Sequence, residues 1–106
     1  MKQLQKKVAE FVAQNNLDTG AEFRALDLMS EIGEVAKEIL KMTDYGKSDA
    51  EPREEIKGEL GDALFSLMAL ANRLDVDLEE ALDSVLQKYA KRLQQGGSAG
   101  SESENA

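Results

Sequence analysis

Residues 59–71 read Glu59-Leu60-Gly61-Asp62-Ala63-Leu64-Phe65-Ser66-Leu67-Met68-Ala69-Leu70-Ala71, and the second part of this run decides the fold. From Ala63 to Ala71 every residue except Ser66 is apolar. A helix built from such a run is apolar on all sides and has no solvent face, so it is predicted to be the central element of its domain. The uncharged stretch Ala63 to Asn72 is only about half the roughly 20 residues a membrane span needs.

Working outward, helix formers dominate the chain apart from Pro52 and eight glycines, and apolar residues recur at spacings of three and four with no sustained alternation of period two. The pattern predicts an all-α protein. A first helix is predicted over Lys2 to Asn15, with Leu4, Val8, Phe11 and Val12 on one face, closed by the turn chemistry of Asp18-Thr19-Gly20. A second helix is predicted over Ala21 to Met42. Ala25, Leu28, Met29, Ile32, Val35, Ala36 and Ile39 form its core-facing stripe, and Asp27, Glu31, Glu34 and Glu38 lie on the other face.

The stretch from Thr43 to Pro52 mixes turn formers with charge and reads as a loop, with Pro52 opening a third helix over about Arg53 to Leu74. Asp77 reads as the N-cap of a fourth helix that ends near Leu93, with Glu80 three residues on and Leu78, Ala81, Leu82, Val85 and Tyr89 as its buried stripe. The expected architecture is a four-helix bundle over residues 1–93. The remainder, 94–106, rich in Gly, Ser and Glu, carries too little apolar surface to order itself and is expected to be a disordered tail without a catalytic part.

The 106 residues include 13 Lys plus Arg against 21 Asp plus Glu, a formal net charge of −8. Such a chain does not collect on phosphate backbones by bulk charge, so no nucleic-acid partner is expected. With no Cys and no His, thiol nucleophiles, disulfides, imidazole bases and the usual zinc sites are excluded. No apolar segment follows Met1-Lys2-Gln3-Leu4-Gln5-Lys6-Lys7, so no signal peptide is visible and a cytoplasmic location, away from membranes, is expected. A domain this small buries only about 60–68% of its unfolded surface, which favours a core completed by a second subunit.

Five pairs of acids stand three residues apart: Glu31/Glu34, Glu51/Glu54, Glu59/Asp62, Asp77/Glu80 and Glu80/Asp83. An acid content near one fifth would give about four such pairs by chance, so spacing alone carries no signal. Two of the pairs share a setting, Glu31-Ile32-Gly33-Glu34-Val35 and Glu59-Leu60-Gly61-Asp62-Ala63. Each segment is locally disfavoured twice, by a helical glycine at about 1 kcal/mol and by repulsion across one turn. Two causes could offset this: helix backbones packed closely over Gly33 and Gly61, and a divalent cation that turns the four carboxylates into ligands. The alternative is a solvated acidic face. All-oxygen ligation selects Mg²⁺, with Mn²⁺ as its substitute, over zinc. Arg73, three turns beyond Asp62, and the pair Lys88 and Arg92 could hold phosphates; the alternative for the latter is complementing a helix C-terminus.

The two segments resemble the ExxE and ExxD signature of the MazG-type all-α nucleoside triphosphate pyrophosphohydrolases. The resemblance extends over Phe23 to Leu93 and includes Leu70-Ala71-Asn72-Arg73, Asp77 to Leu82 and Lys88-Tyr89-Ala90-Lys91-Arg92. It implies a helical bundle whose protomers associate, as a tetramer of two dimers rather than a dimer alone, and Mg²⁺-dependent cleavage between the α and β phosphates to a monophosphate and pyrophosphate. It further implies Glu31, Glu34, Glu59 and Asp62 as metal ligands, Glu34 or Glu38 as the proton acceptor, and Arg73, Lys88 and Arg92 as phosphate contacts. Tyr89 departs from the Asn that many members carry there. The chain also lacks the Trp or His that several relatives place around the base, which leaves Phe11, Phe23 and Tyr45 as candidates for the base or sugar. A nucleoside or deoxynucleoside triphosphate is the expected substrate. A phosphoribosyl-ATP pyrophosphohydrolase, a dUTP or dCTP pyrophosphatase, and a non-catalytic acidic bundle that binds a partner protein are the alternatives.

Overall fold

A computed structural model describes residues 1–96. It contains α1 (Lys2–Gln14), α2 (Ala21–Met42), α3 (Glu55–Arg73) and α4 (Leu78–Gln94), with no strand among the described residues. The expectation of a disordered tail falls, from residue 97 onward, outside the described residues.

The ends of the helices follow local chemistry. Asn15 caps α1 with its side-chain amide donating to the Phe11 carbonyl at 2.9 Å, and Asn16 turns the chain at φ 54°. After α2, Asp44, Tyr45 and Gly46 take successive positive φ values of 48°, 59° and 87°, a left-handed corner that only the glycine adopts without strain. At the start of α4 the Asp77 carboxylate accepts from the backbone N–H of Glu79 at 2.9 Å and of Glu80 at 3.3 Å, the N-cap read from the sequence. The third helix begins two residues later than expected, because Arg53 is drawn into an ion pair with Glu38 of α2 and pins the loop there instead.

The central pair is α2 against α3, and α1 also packs on α3. Ala63, Ser66, Met68, Ala69 and Ala71 of α3 are buried, as expected of the central helix, whereas Leu60, Leu64 and Leu67 remain exposed along one side. At the far end a buried amide network ties three helices together. Gln5 of α1 donates to Asn72 Oδ1 at 3.0 Å and to the Val76 carbonyl at 2.9 Å, and its own oxygen accepts the Leu78 N–H at 2.8 Å. Asn72 returns a bond to the Gln5 carbonyl at 2.9 Å, so every donor aimed inward is satisfied.

Two expectations are corrected. The stripe of α2 turned towards α3 is Arg24, Leu28, Glu31, Val35, Glu38 and Met42, all buried or half-buried, while Ala25, Met29, Ile32, Ala36 and Ile39 face outward, Met29 at 70% exposure. The extensive contacts of α2 are with α3 alone, so the stripe on its other side stays open. The stripe predicted to be buried on α4 stays open too: no residue of α4 is buried, and Leu82, Leu86 and Leu93 are exposed. Nor does helix approach explain the glycines. A Cβ at Gly33 or Gly61 would meet nothing within 4 Å.

Candidate metal centre

The seam between α2 and α3 carries the site. Along α2, Arg24, Asp27 and Glu31 follow at spacings of three and four residues, which places them one above another on the face turned to α3. Along α3, Glu59 and Asp62 occupy the first turns and Ser66 continues the same line. The Ser66 hydroxyl donates to Asp27 Oδ2 at 3.1 Å, a bond between two side chains 39 positions apart that fixes the register of the two helices.

One turn from that bond, carboxylate oxygens of Glu31, Glu59 and Asp62 all lie within 4.8 Å of one another. None of the ion pairs among the described residues involves any of the three. Partial burial, followed by the charges of Asp62, Asp27, Glu59 and Glu34, raises the pKa of Glu31 above the ordinary glutamate value. Three carboxylates held together without a protein cation, at a helix seam, have the donor chemistry of a hard divalent cation site, since the donors are all oxygen.

The other residues singled out from the sequence are placed as follows. Glu34 lies one turn beyond Glu31, exposed, outside the close cluster but near enough for its charge to act on Glu31. Glu38 is 5% exposed and committed to an ion pair with Arg53, which also reaches Glu55 at 3.2 Å. Arg73 is exposed on the last turn of α3, eleven residues beyond Asp62 and thus about 16 Å along the helix. Lys88 lies over the Tyr89 ring at 5.5 Å, and Arg92 is half-buried on the same helix. Because α4 packs extensively on neither α2 nor α3, one chain does not bring these two cations to the acids. Phe11 meets Phe65 edge to face at 6.1 Å, a packing contact, while Phe23 and Tyr45 are exposed on the first turn of α2 and in the loop after it. Asp27, Ser66 and Arg24 are members of the seam that sequence reasoning misses; the spacing of Arg24, Asp27 and Glu31 is the available signal, hidden when the apolar stripe is taken to face inward.

The fold and the site together define a helical protein that presents clustered carboxylates for a hard cation. Comparison with known proteins makes the class specific: residues 21–96 match the model of the MazG nucleotide pyrophosphohydrolase domain. The chain belongs to this family, and it is a hydrolase of phosphoanhydrides. It is 36% identical over 99 residues to YpjD, an uncharacterized protein of Bacillus subtilis, covering 87% of this chain and 85% of that one. It is 35% identical over 85 residues to the gene 37 protein of Mycobacterium phage L5, covering 77% and 74% respectively. The crystal structure of YpjD, solved as that of a candidate pyrophosphatase, superimposes with a TM-score of 0.67 at 35% identity, over 84% of this chain and 91% of that one.

Proposed function

We propose that the protein hydrolyses nucleoside or deoxynucleoside triphosphates in the presence of Mg²⁺, cleaving between the α and β phosphates to release a monophosphate and pyrophosphate. The observation that carries this reading is the Glu31, Glu59 and Asp62 cluster, gathered without a protein counter-charge on the seam of a pyrophosphohydrolase fold. Glu31, Glu59 and Asp62 would hold the cation, with Glu34 as a fourth donor or as the group that accepts the proton of the attacking water. A divalent cation at this position supplies neutralisation of phosphate charge and acidification of water. Glu38 is the less suitable base, since its carboxylate is already engaged by Arg53.

Lys88 and Arg92 are the phosphate contacts in this reading and need a second copy to reach the acids, whereas Arg73, about 16 Å along α3 from Asp62, lines a separate cavity and is less suited to that role. Exposed Phe23, Leu26, Met29 and Ile32 on α2 support a homo-oligomer, with a tetramer of two dimers as the favoured form. No helix among the described residues is long and apolar enough to cross a membrane, which fits action on a cytoplasmic nucleotide pool.

The test is product analysis. A panel of nucleoside triphosphates is incubated with the protein and Mg²⁺, with and without EDTA, and resolved by ion-exchange chromatography. Metal-dependent monophosphate and pyrophosphate are expected. Diphosphate and phosphate would place the attack at a different phosphorus, and no turnover by folded, Mg²⁺-binding protein would move the assignment to phosphoribosyl-ATP or to a non-catalytic bundle.

A further inference from the structure

A second feature occupies the other end of the same seam. Where α1, the turn after it, the first turns of α2 and the last turn of α3 meet, there is a cavity of about 280 Å³. Its apolar wall is made of Ala9, Val12, Ala13 and Ala69, and its polar rim carries Asp18, Arg24, Asn72 and Arg73. Arg24 is only 7% exposed, so its guanidinium is held inside the protein. Its Nη2 donates to the Leu17 carbonyl at 2.6 Å, which fixes the plane of the fork. No ion pair among the described residues includes Arg24, and no buried side-chain nitrogen among them lacks a partner. The remaining N–H groups of Arg24 therefore face accessible space, and for a residue so buried that space is the cavity. A buried guanidinium without a carboxylate partner is costly, and a ligand that accepts its hydrogen bonds removes the cost.

The cavity and the acidic cluster share one line of residues. On α2, Arg24 lies seven residues before Glu31, and on α3, Ala69 lies seven residues after Asp62, so the two features are about 10 Å apart along both helices. The Asp27 and Ser66 hydrogen bond lies between them. With the phosphates of a nucleotide at Glu31, Glu59 and Asp62, its sugar and base extend along this seam into the cavity.

The rim then decides which base fits. An arginine fork only donates and a carboxylate only accepts. Asn72 is held in place by its two bonds with Gln5, so the rim is preorganised. A base edge that sets a carbonyl beside an N–H satisfies Arg24 and Asp18 together: the carbonyl, with N7 in a purine, accepts from Arg24, and the ring N–H donates to Asp18, while Arg73 on the same rim adds a second cationic donor. Guanine, hypoxanthine and uracil have this edge. Adenine and cytosine place an amino group against the donor fork and a bare ring nitrogen against the carboxylate.

Resting on the pyrophosphohydrolase reading, we propose that this cavity is the base subsite and that Arg24, with Asp18, makes the enzyme select 6-oxopurine or 4-oxopyrimidine nucleotides over amino-substituted ones. None of Phe11, Phe23 and Tyr45 lines the cavity, so the base is read by hydrogen bonds between aliphatic walls rather than by stacking.

The test separates this inference from the reading it rests on. Binding of dGMP, dUMP, dAMP and dCMP, which need no hydrolysis, is measured by calorimetry with Mg²⁺, alongside kcat and KM for the corresponding triphosphates. Two variants accompany the wild type: Arg24→Lys, which keeps the charge and a donor for Leu17 but loses the fork, and Asp18→Asn on the exposed turn. Circular dichroism checks their folds. The expected result is a preference of about 10- to 100-fold for dGMP and dUMP, mirrored in KM more than in kcat and flattened in both variants. Equal affinities, a preference for dAMP or dCMP, or a ranking that survives in both variants would overturn it. A ranking in binding without any turnover would support the subsite while overturning the pyrophosphohydrolase reading. Turnover without a ranking would do the reverse.

Discussion

The two long faces of α2 invert the usual division of labour in an amphipathic helix. The face packed on α3 carries Arg24, Asp27, Glu31 and Glu38 among its apolar contacts, while the face turned to solvent carries Met29, Ile32 and Ile39. The charges there are answered differently: Glu38 by Arg53, Asp27 by the Ser66 hydroxyl, Arg24 by the Leu17 carbonyl, and Glu31 by no protein cation. Under the function proposed above, the inner face serves chemistry and the outer one association, where burial by a second copy would be worth roughly 1.5–3 kcal/mol per large side chain.

The contrast breaks most sharply at the acids. If the carboxylates hold the cation as proposed, Asp62→Asn or Glu59→Gln is expected to lower kcat by about a thousandfold or more while the helical circular dichroism is unchanged. Activity within about tenfold of wild type would remove the inner face from the chemistry. On the exposed apolar surface, Met29→Asp of α2 or Leu67→Asp of α3 puts a charge where apolar contact is expected and should weaken subunit association by about 2–3 kcal/mol per side chain. Sedimentation velocity would show a smaller species, and intact oligomers in both variants would contradict the role of this surface.

Glu38→Gln tests whether the buried ion pair is structural. Arg53 is partly exposed, so a loss of about 1–2 kcal/mol in urea unfolding is expected, with turnover changed by less than about tenfold. A large loss of turnover at unchanged stability would instead make Glu38 the base. Titration separates the acidic ends of the molecule by sign. Glu31, with its pKa raised, contributes stability that is fully present below the ordinary glutamate value and lost as the pH rises through the raised one. Asp77 is the opposite case. Burial pushes its pKa up, but the backbone N–H groups of Glu80 and Glu79 and the Lys2 ammonium outweigh it and leave the pKa lowered. Its contribution is present above the ordinary aspartate value and lost as the pH falls through the depressed one. In metal-free protein, thermal denaturation between the ordinary glutamate value and neutrality should therefore show an acid-side gain that Asp62→Asn reduces. The smallest effect is at Gly33. With open space around its Cβ position, Gly33→Ala should stabilise a lone chain by about 0.5–1 kcal/mol. Destabilisation instead would locate a second copy's backbone at that turn.

Much of this is legible in the sequence. The four helices, the Asp77 cap and the burial of Ala63, Ser66, Met68, Ala69 and Ala71 follow from spacing and capping chemistry, though Leu64 and Leu67 of the same run are exposed, and Glu31, Glu59 and Asp62 follow from their matched settings around glycine. The direction of the α2 faces is not legible, because the spacing of Met29, Ile32 and Ile39 marks an apolar stripe and is silent on whether its own chain or another will cover it. Arg24 escapes notice for a related reason. A single basic residue in the first turns of a helix has no pattern, and only the closure of α1 over it makes it a buried guanidinium.

The most direct measurement is the melting temperature of wild type and Glu59→Gln with and without Mg²⁺. If the cluster is a cation site held together against its own repulsion, Glu59→Gln melts higher than wild type in EDTA and no longer responds to Mg²⁺, whereas wild type is stabilised by the metal. A variant that melts lower in EDTA, or that gains as much from Mg²⁺ as wild type does, would contradict it.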